Sequence, residues 1–159
     1  MEDIVAAVAF IAVVFAAAAF GAIFKPDAWF RGIAKPSWNP PDKVFAPVWT
    51  LLYLSMAASA WLVWQAEGIA GAPVAFALFA AQLALNAAWS WLFFGRHQIA
   101  AALADIVVLW LLIVATVAAF WGHSPPAGAL LLPYLAWVSF AAVLNAALWK
   151  LNRAAPSAA

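Results

Sequence analysis

The sequence contains no cysteine and few charged residues, and both shortages restrict the class of protein to which it can belong. Without cysteine it can form neither disulfides nor thiolate metal sites, and it has no cysteine nucleophile. Only 8% of its 159 residues are charged, whereas 70% are hydrophobic. A chain of this size cannot bury so large an apolar fraction in a water-soluble core. The composition therefore predicts an integral membrane protein.

Five apolar stretches each reach the roughly 20 residues that a membrane-spanning helix needs. Because they are continuous and rich in Ala and Leu, helices are favoured over the alternating strands of a barrel. The acidic start, Glu2 and Asp3, and the length of the first stretch argue against a signal peptide. We predict an all-α membrane protein in which residues 1–159 form a single five-helix bundle. The helices are expected over residues 4–24, 44–65, 73–94, 98–121 and 127–149.

The basic side chains are confined to one side of the predicted bundle. With five spans, the loop 25–43, the turn 95–97 and the C-terminal tail share one side, and they contain all seven Lys and Arg residues. By the positive-inside rule this side faces the cytoplasm and the N-terminus faces outward. We expect a bacterial inner-membrane protein, with the outer membrane as the alternative. Nothing in the charge distribution indicates nucleic-acid binding.

A loop rich in proline and tryptophan, residues 25–43, joins the first two predicted helices. Four prolines between residues 36 and 47 restrict its backbone, so an ordered shape is expected. Trp38 in the loop and Trp49 just beyond it suit a flat, mostly apolar ligand. We interpret the loop as a lid over a pocket. The alternative is that its Trp and Pro residues only anchor the protein at the membrane boundary.

Three predicted helices carry polar and aromatic side chains at helical spacing, which places them on inward faces. We predict that these faces line one pocket beneath the lid, where an amide orients the ligand. The alternative for the amides is hydrogen bonding between helices. A separate intramembrane carboxyl, Asp105, is expected to accept hydrogen bonds from backbone or indole N–H groups. The three faces comprise Trp49, Tyr53 and Met56; Gln82, Asn86 and Trp89; and Tyr134, Trp137, Ala141 and Asn145.

Common catalytic arrangements are missing from the sequence. His97 and His123 lie at opposite ends of the fourth predicted helix, roughly 39 Å apart, so they cannot share a metal or a proton relay. There is no nucleophile elbow, phosphate loop or paired acid. We therefore predict no metal and no obligatory cofactor. Any enzyme activity would depend on the ligand's own chemistry, with tryptophans as electron-rich participants.

Small residues recur at four-residue spacing along the third predicted helix. Such rows let a second helix approach closely, which drives association in lipid. We predict a homodimer through this helix, with packing inside the monomer as the alternative. The rows are Ala77 and Ala81, and Ala80, Ala84 and Ala88.

Taken in order, these motifs resemble the TspO/MBR family, which includes bacterial tryptophan-rich sensory proteins and the mitochondrial translocator protein, formerly the peripheral benzodiazepine receptor. The resemblance runs from about Gly21 to Trp149. It depends on Trp29-Phe30, KPSWNPP at 35–41, PVWTLLY at 47–53, QLALNAAW at 82–89 with FFG at 93–95, ALAD at 102–105, and PYLAW at 133–137 with LN at 144–145.

The resemblance implies a five-helix bundle, usually dimeric, with a pocket beneath the first loop. That pocket would bind porphyrins such as protoporphyrin IX and synthetic isoquinoline carboxamide or benzodiazepine ligands. Phe30 stands where many members have Tyr, which removes one polar contact. Trp49 and Trp137 match indoles implicated in light-dependent porphyrin degradation, and would be catalytic if that activity occurs. The remaining matching pocket positions are Trp38, Pro40, Tyr53, Asn86, Trp89 and Ala141.

The resemblance leaves three functions open. The chain could be a receptor that senses tetrapyrroles or disposes of them by photo-oxidation, a transporter of porphyrin or another small lipophile, or a photo-oxidative enzyme. The lack of an internal repeat and of an intramembrane charge chain argues against coupled transport, so we favour the receptor. Ala146 stands where the family's sterol-recognition pattern needs tyrosine, which argues against cholesterol binding through that motif.

Overall fold

The computed structural model describes residues 2–153, so both ends of the predicted 1–159 domain lie outside the described residues. Over this range the chain is helical and contains no strand. Five helical segments are long and apolar enough to cross a membrane, which confirms the predicted all-α, five-span architecture. The α-helices are α1 Glu2–Ile23, α2 Ala28–Gly32, α3 Phe45–Gly71, α4 Pro73–Ser90, α5 Ile99–His123, α6 Pro125–Leu130 and α7 Leu132–Asn152.

Several helix ends differ from the predicted bounds. The largest difference is in the second spanning helix, which was predicted to end at residue 65, whereas helical structure continues to Gly71 beyond a kink at Gly68, whose φ of 67° is non-helical. A π-helical turn, Trp91–Gly95, ends the third span. The fifth span is divided between α6 and α7 at Leu131, and Pro133 lies in the first turn of α7, where a proline needs no backbone donor.

The spans follow a fixed order around the bundle. α1 packs against both α3 and α4, α4 packs against α5, and α5 packs against α6 and α7. On the remaining side α3 meets chiefly α6, the short N-terminal part of the last span. Ser59 Oγ donates to Ala127 O at 2.7 Å and Ser55 Oγ donates to Leu130 O at 2.5 Å, which fastens α3 to α6. Beyond the break, α7 packs less closely against α3 than α6 does.

The predicted lid is ordered by its own short helix. Asp27 caps α2, because its Oδ1 accepts a hydrogen bond from Phe30 N at 3.0 Å. A 3₁₀ turn, Asp42–Val44, leads from the lid into α3. Lys35 Nζ donates to the carbonyl oxygens of Arg31 and Ile33, so these carbonyl groups at the C-terminal end of α2 have a hydrogen-bond donor.

Candidate ligand-binding site

A chain of buried hydrogen bonds joins α3, α4 and α7. Tyr53 OH donates to Asn86 Oδ1 at 2.8 Å, and Asn86 Nδ2 donates to Tyr134 OH at 3.1 Å. Tyr134 OH donates in turn to Gln82 Oε1 at 2.9 Å. Asn86 is 5% exposed, and Tyr134 and Gln82 are each 1% exposed. Since unpaired polar groups are costly in lipid, this chain holds the three helices in one register.

The amide predicted to orient a ligand is thus already engaged with protein. Both polar ends of Asn86 have phenol partners, and the side chain is buried among the helices. Asn145 behaves in the same way: its Oδ1 accepts from Trp89 Nε1, and its Nδ2 donates to Ile99 O, both at 3.0 Å. The structure therefore places these amides in the alternative role considered from the sequence, hydrogen bonding between helices.

Aromatic side chains connect this network to the lid. Trp49 lies 5.3 Å from Tyr53 and 6.2 Å from Tyr134, measured between ring centroids. Trp49 is thus the one predicted indole that contacts both phenols. The Trp49 ring packs edge-to-face on the Tyr134 ring, so it covers the hydrogen-bonded chain on the side of the lid.

The tip of the lid lies over α7. Trp38 packs edge-to-face on Phe140 at 5.9 Å, and Phe45, at the start of α3, packs edge-to-face on Trp137 at 5.8 Å. Trp137 and Phe140 also contact each other at 5.6 Å. The predicted residues Trp38 and Trp137 are thus brought to one aromatic surface.

Directly beside this surface, an open groove of about 480 Å³ runs between α3 and α7. It lies where α3 packs less closely against α7 than against α6. Its walls carry apolar side chains, so they can exclude water from a flat hydrophobic molecule. The lining residues are Val48, Leu51, Leu52, Pro133, Ala136, Trp137 and Phe140.

Other predicted site residues lie outside this groove lining. Phe30 packs edge-to-face on Phe94 at 5.3 Å beneath the Lys35 ammonium, and Trp89 stacks on Phe93 at 5.0 Å. Both belong to a separate aromatic cluster at the lid end of α4. Pro40 and Ala141 are half-buried, the first in the lid tip and the second on α7. The predicted set is therefore distributed over the groove, the hydrogen-bonded chain and this cluster.

Sequence reasoning missed two contacts that hold the first part of the lid, residues 27–35. At one end, Asp27 Oδ2 lies 3.0 Å from His97 Nε2, and the His97 ring stacks on Trp29 at 4.3 Å. At the other end, Ala34 N donates to Asn152 Oδ1 and Asn152 Nδ2 donates to Ala34 O. An aspartate directly before a helix is a recognisable N-cap, so Asp27 could have been predicted from the sequence. Its contact with His97, 70 residues later, could not.

These contacts also bring the lid, the turn after α4 and the end of α7 to one side of the bundle, as predicted. At the opposite end, His123 Nδ1 lies 2.9 Å from Glu67 Oε2. Each histidine therefore has one carboxylate partner.

The expectation that Asp105 accepts hydrogen bonds from backbone or indole N–H groups is wrong. Within residues 2–153, Asp105 Oδ2 is buried and has no hydrogen-bond donor. Asp105 itself is half-buried and lies beside the buried position Ile106 in the sequence of α5.

Acid is expected to loosen the first part of the lid. The Phe30 N–H bond and neighbouring His97 hold the pKa of Asp27 below its ordinary value. A carboxyl whose pKa is lowered on folding stabilises the structure above its unfolded pKa, about 3.9, and this contribution is lost as pH falls through the folded pKa. Hydrogen exchange of α2 amides, normalised to intrinsic rates, should therefore rise below about pH 4 while that of α5 does not.

The Asp27→Asn variant should show faster α2 exchange already at neutral pH, since it loses the carboxylate oxygen that lies 3.0 Å from His97 Nε2. The matched control is Asp42→Asn, a lid carboxylate that caps no α-helix. Identical α2 exchange in Asp27→Asn and wild type would contradict this account of the lid.

Comparison with known proteins gives a consistent set of relatives. Residues 9–150 match the sequence model of the TspO/MBR family. The chain is 44% identical to the tryptophan-rich sensory protein of Cereibacter sphaeroides over 149 residues, which cover 94% of this chain and 92% of the relative. It is 47% identical to the tryptophan-rich protein TspO of Chlorobaculum tepidum over 133 residues, 80% and 82% of the two chains. It is 44% identical to the translocator protein of Sus scrofa over 127 residues, 79% and 75%.

Proposed function

This chain belongs to the TspO/MBR family, and from that premise we propose that it is a membrane receptor for flat lipophilic ligands of the porphyrin class, such as protoporphyrin IX. The ligand lies in the groove between α3 and α7 beneath the lid tip and serves tetrapyrrole sensing or photo-oxidative disposal. A membrane receptor or sensor role follows from family membership. The choice of ligand is our inference.

The observation that carries the proposal is the open apolar groove beside Trp137, with Trp38 resting on its lid end. Aromatic side chains provide large contact areas at low cost in conformational entropy, which suits a planar macrocycle. The groove is continuous with lipid, so a ligand dissolved in the bilayer can reach it without crossing water.

Charge at the lid end supports an anionic substituent on the ligand. Lys43 lies in the turn that leads into α3, the helix that forms one wall of the groove. Protoporphyrin IX carries two carboxylates on one edge of an apolar ring. With the ring in the groove, those carboxylates reach the cationic side of the membrane, where exposed Lys and Arg side chains are available.

Titration of the purified protein with protoporphyrin IX, followed by porphyrin absorbance and fluorescence, tests this proposal. We expect saturable binding, competition by isoquinoline carboxamide or benzodiazepine ligands, and weaker binding of a porphyrin without carboxylates. Stable bound pigment without accumulation in sealed vesicles supports a receptor. Accumulation inside vesicles would instead establish the transporter, and non-saturable partitioning equal to that of empty micelles would refute a binding site.

The protein is a multi-pass integral membrane protein, and its orientation can be tested directly. Because all seven Lys and Arg side chains lie at the lid end, we predict that this end is cytoplasmic and the N-terminus is outside. The chain has no native cysteine, so single thiols report without background. Cysteine at Ser37, an exposed lid position, should resist impermeant reagents in intact cells, whereas cysteine at Glu2 should react. The reverse pattern would overturn the assignment.

We also propose that α4 forms a homodimer contact. Four alanines of its small-residue rows, Ala77, Ala80, Ala81 and Ala84, are exposed on the surface of the single chain. Close backbone approach at these positions would stabilise a dimer by packing.

Ala84→Phe should therefore shift the protein towards monomer, because the ring prevents that approach. Ala104→Phe places the same ring on an exposed position of α5 and should leave the dimer intact. Light scattering and cross-linking in detergent measure the outcome. The same oligomer in wild type and both variants would place any interface elsewhere.

A further inference from the structure

The lid end of the bundle carries a large excess of unpaired positive charge. Seven Lys and Arg side chains lie there, and the carboxylates at that end are Asp27 and Asp42. Within residues 2–153 the ion pairs are both His–carboxylate pairs, so none of the seven cations is in a salt bridge. Asp27 is already occupied by His97 and by its own helix cap. The cations are thus available to an external anion.

Two of these cations follow the ends of two contacting segments, α1 and the π-helical turn Trp91–Gly95. Gly95 lies so close to Phe24 that a Cβ on Gly95 would be 2.7 Å from the Phe24 ring. Lys25 and Arg96 directly follow the two residues of this contact in the chain. Both side chains are exposed. The contact between Phe24 and Gly95 therefore brings the ends of two spans together, and each span is followed there by an exposed cation.

The surface below these two cations is apolar and faces outward. The Arg96 guanidinium lies 5.7 Å from the centre of the Trp91 ring, and Trp91 is 42% exposed. On α1, Ile23 is 69% exposed and Phe20 also lies at the surface. Tryptophan at the end of a spanning helix prefers the level of the lipid headgroups. The patch thus presents an apolar wall at acyl-chain depth and two cations at headgroup depth.

We propose that Lys25 and Arg96 bind the phosphate of an anionic phospholipid whose acyl chain lies along Phe20, Ile23 and Trp91. Charge complementarity selects the occupant: two unpaired cations favour a lipid with net negative charge over a zwitterionic one, whose own ammonium offsets its phosphate. A free phosphate would satisfy the cations but leave the apolar wall unused. This site lies on α1 and α4, whereas the proposed porphyrin groove lies between α3 and α7, so either can fail without the other.

Native mass spectrometry of the full chain in detergent, titrated with phosphatidylglycerol or phosphatidylcholine, tests the proposal. Each basic residue near a membrane surface contributes about fivefold in affinity for anionic lipid, so Lys25→Gln/Arg96→Gln should bind phosphatidylglycerol about 30-fold more weakly. Binding of phosphatidylcholine should not change. The matched control, Arg31→Gln/Lys43→Gln, makes the same change in net charge at the same end and should alter affinity by about twofold at most.

Two further variants separate a defined site from general charge. Lys25→Arg/Arg96→Lys keeps both cations and should retain phosphatidylglycerol affinity within about twofold. Gly95→Ala keeps every charge but displaces Phe24, and should weaken binding of the same lipid. Equal losses in the two glutamine double variants would overturn the site, as would equal binding of both lipids by wild type. Displacement of the lipid by an equal concentration of inorganic phosphate would indicate a free-anion site instead.

Discussion

Replacing Asn86 with alanine is expected to destabilise the helical bundle by about 1–3 kcal/mol. The substitution breaks two buried interhelical hydrogen bonds and leaves the Tyr53 and Tyr134 hydroxyls with one partner fewer each. Hydrogen bonds between membrane helices contribute about 0.6 kcal/mol on average and up to about 1.7 kcal/mol, and burial of an unsatisfied group adds to the loss. A loss of 2 kcal/mol would lower the thermal midpoint in detergent by about 4–8 °C.

The Tyr53→Phe variant is the matched control, because it removes only one of these two hydrogen bonds. Its effect should be about half that of Asn86→Ala, and the double variant should be less destabilised than the sum of the two. Porphyrin affinity of folded Asn86→Ala should change little, since the amide is buried against protein. Wild-type stability combined with a large loss of affinity would instead identify Asn86 as the ligand-orienting amide predicted from the sequence.

Replacing Trp137 with alanine is expected to weaken protoporphyrin binding by about 30- to 1,000-fold. Trp137 lines the groove and contacts both Phe45 and Phe140, so it forms the aromatic wall against which a planar ring would pack. Loss of a buried indole contact corresponds to about 2–4 kcal/mol of binding free energy. The control is Trp121→Ala, which removes a 47%-exposed indole at the opposite end of the bundle and should leave affinity unchanged.

The Trp137→Phe variant separates binding from chemistry. Phenylalanine keeps much of the apolar contact but is far harder to oxidise than indole, so affinity should largely persist while any light-dependent porphyrin degradation slows. Absorbance during timed illumination measures the rate. Equal degradation by wild type and Trp137→Phe would remove this residue from the chemistry and leave Trp49 as the other candidate, without affecting the binding role.

The number of spans was predictable because the lipid core fixes how many consecutive apolar residues a helix needs. A hydropathy pattern identifies only the part of a helix that lies in the lipid. For this reason the predicted end of the second spanning helix came too early. Its last turns contain Gln65 and Glu67 and continue beyond the kink at Gly68 to Gly71. The break before α7 was predictable, since proline removes a backbone donor wherever it occurs.

The inward faces of the helices were also predictable, but their mutual contacts were not. Helical spacing places Asn86 on the same face as Gln82, and both are buried. Which groups they meet depends on the order and rotation of the helices, and the sequence does not encode these locally. Hence Tyr134 was predicted on an inward face without its role as the link between the two amides. Asn152, which pairs with Ala34 across 118 residues, gave no signal at all.

Protection of a single thiol by bound porphyrin tests the central claim most directly. The absence of native cysteine allows Ala136→Cys, an exposed position in the groove lining on α7, to be compared with Val108→Cys, an exposed position on α5 outside the groove. With increasing protoporphyrin IX, labelling by a membrane-permeant thiol reagent should slow saturably at position 136 and stay constant at position 108. Equal labelling rates at the two positions with and without saturating porphyrin would contradict a ligand site beneath the lid.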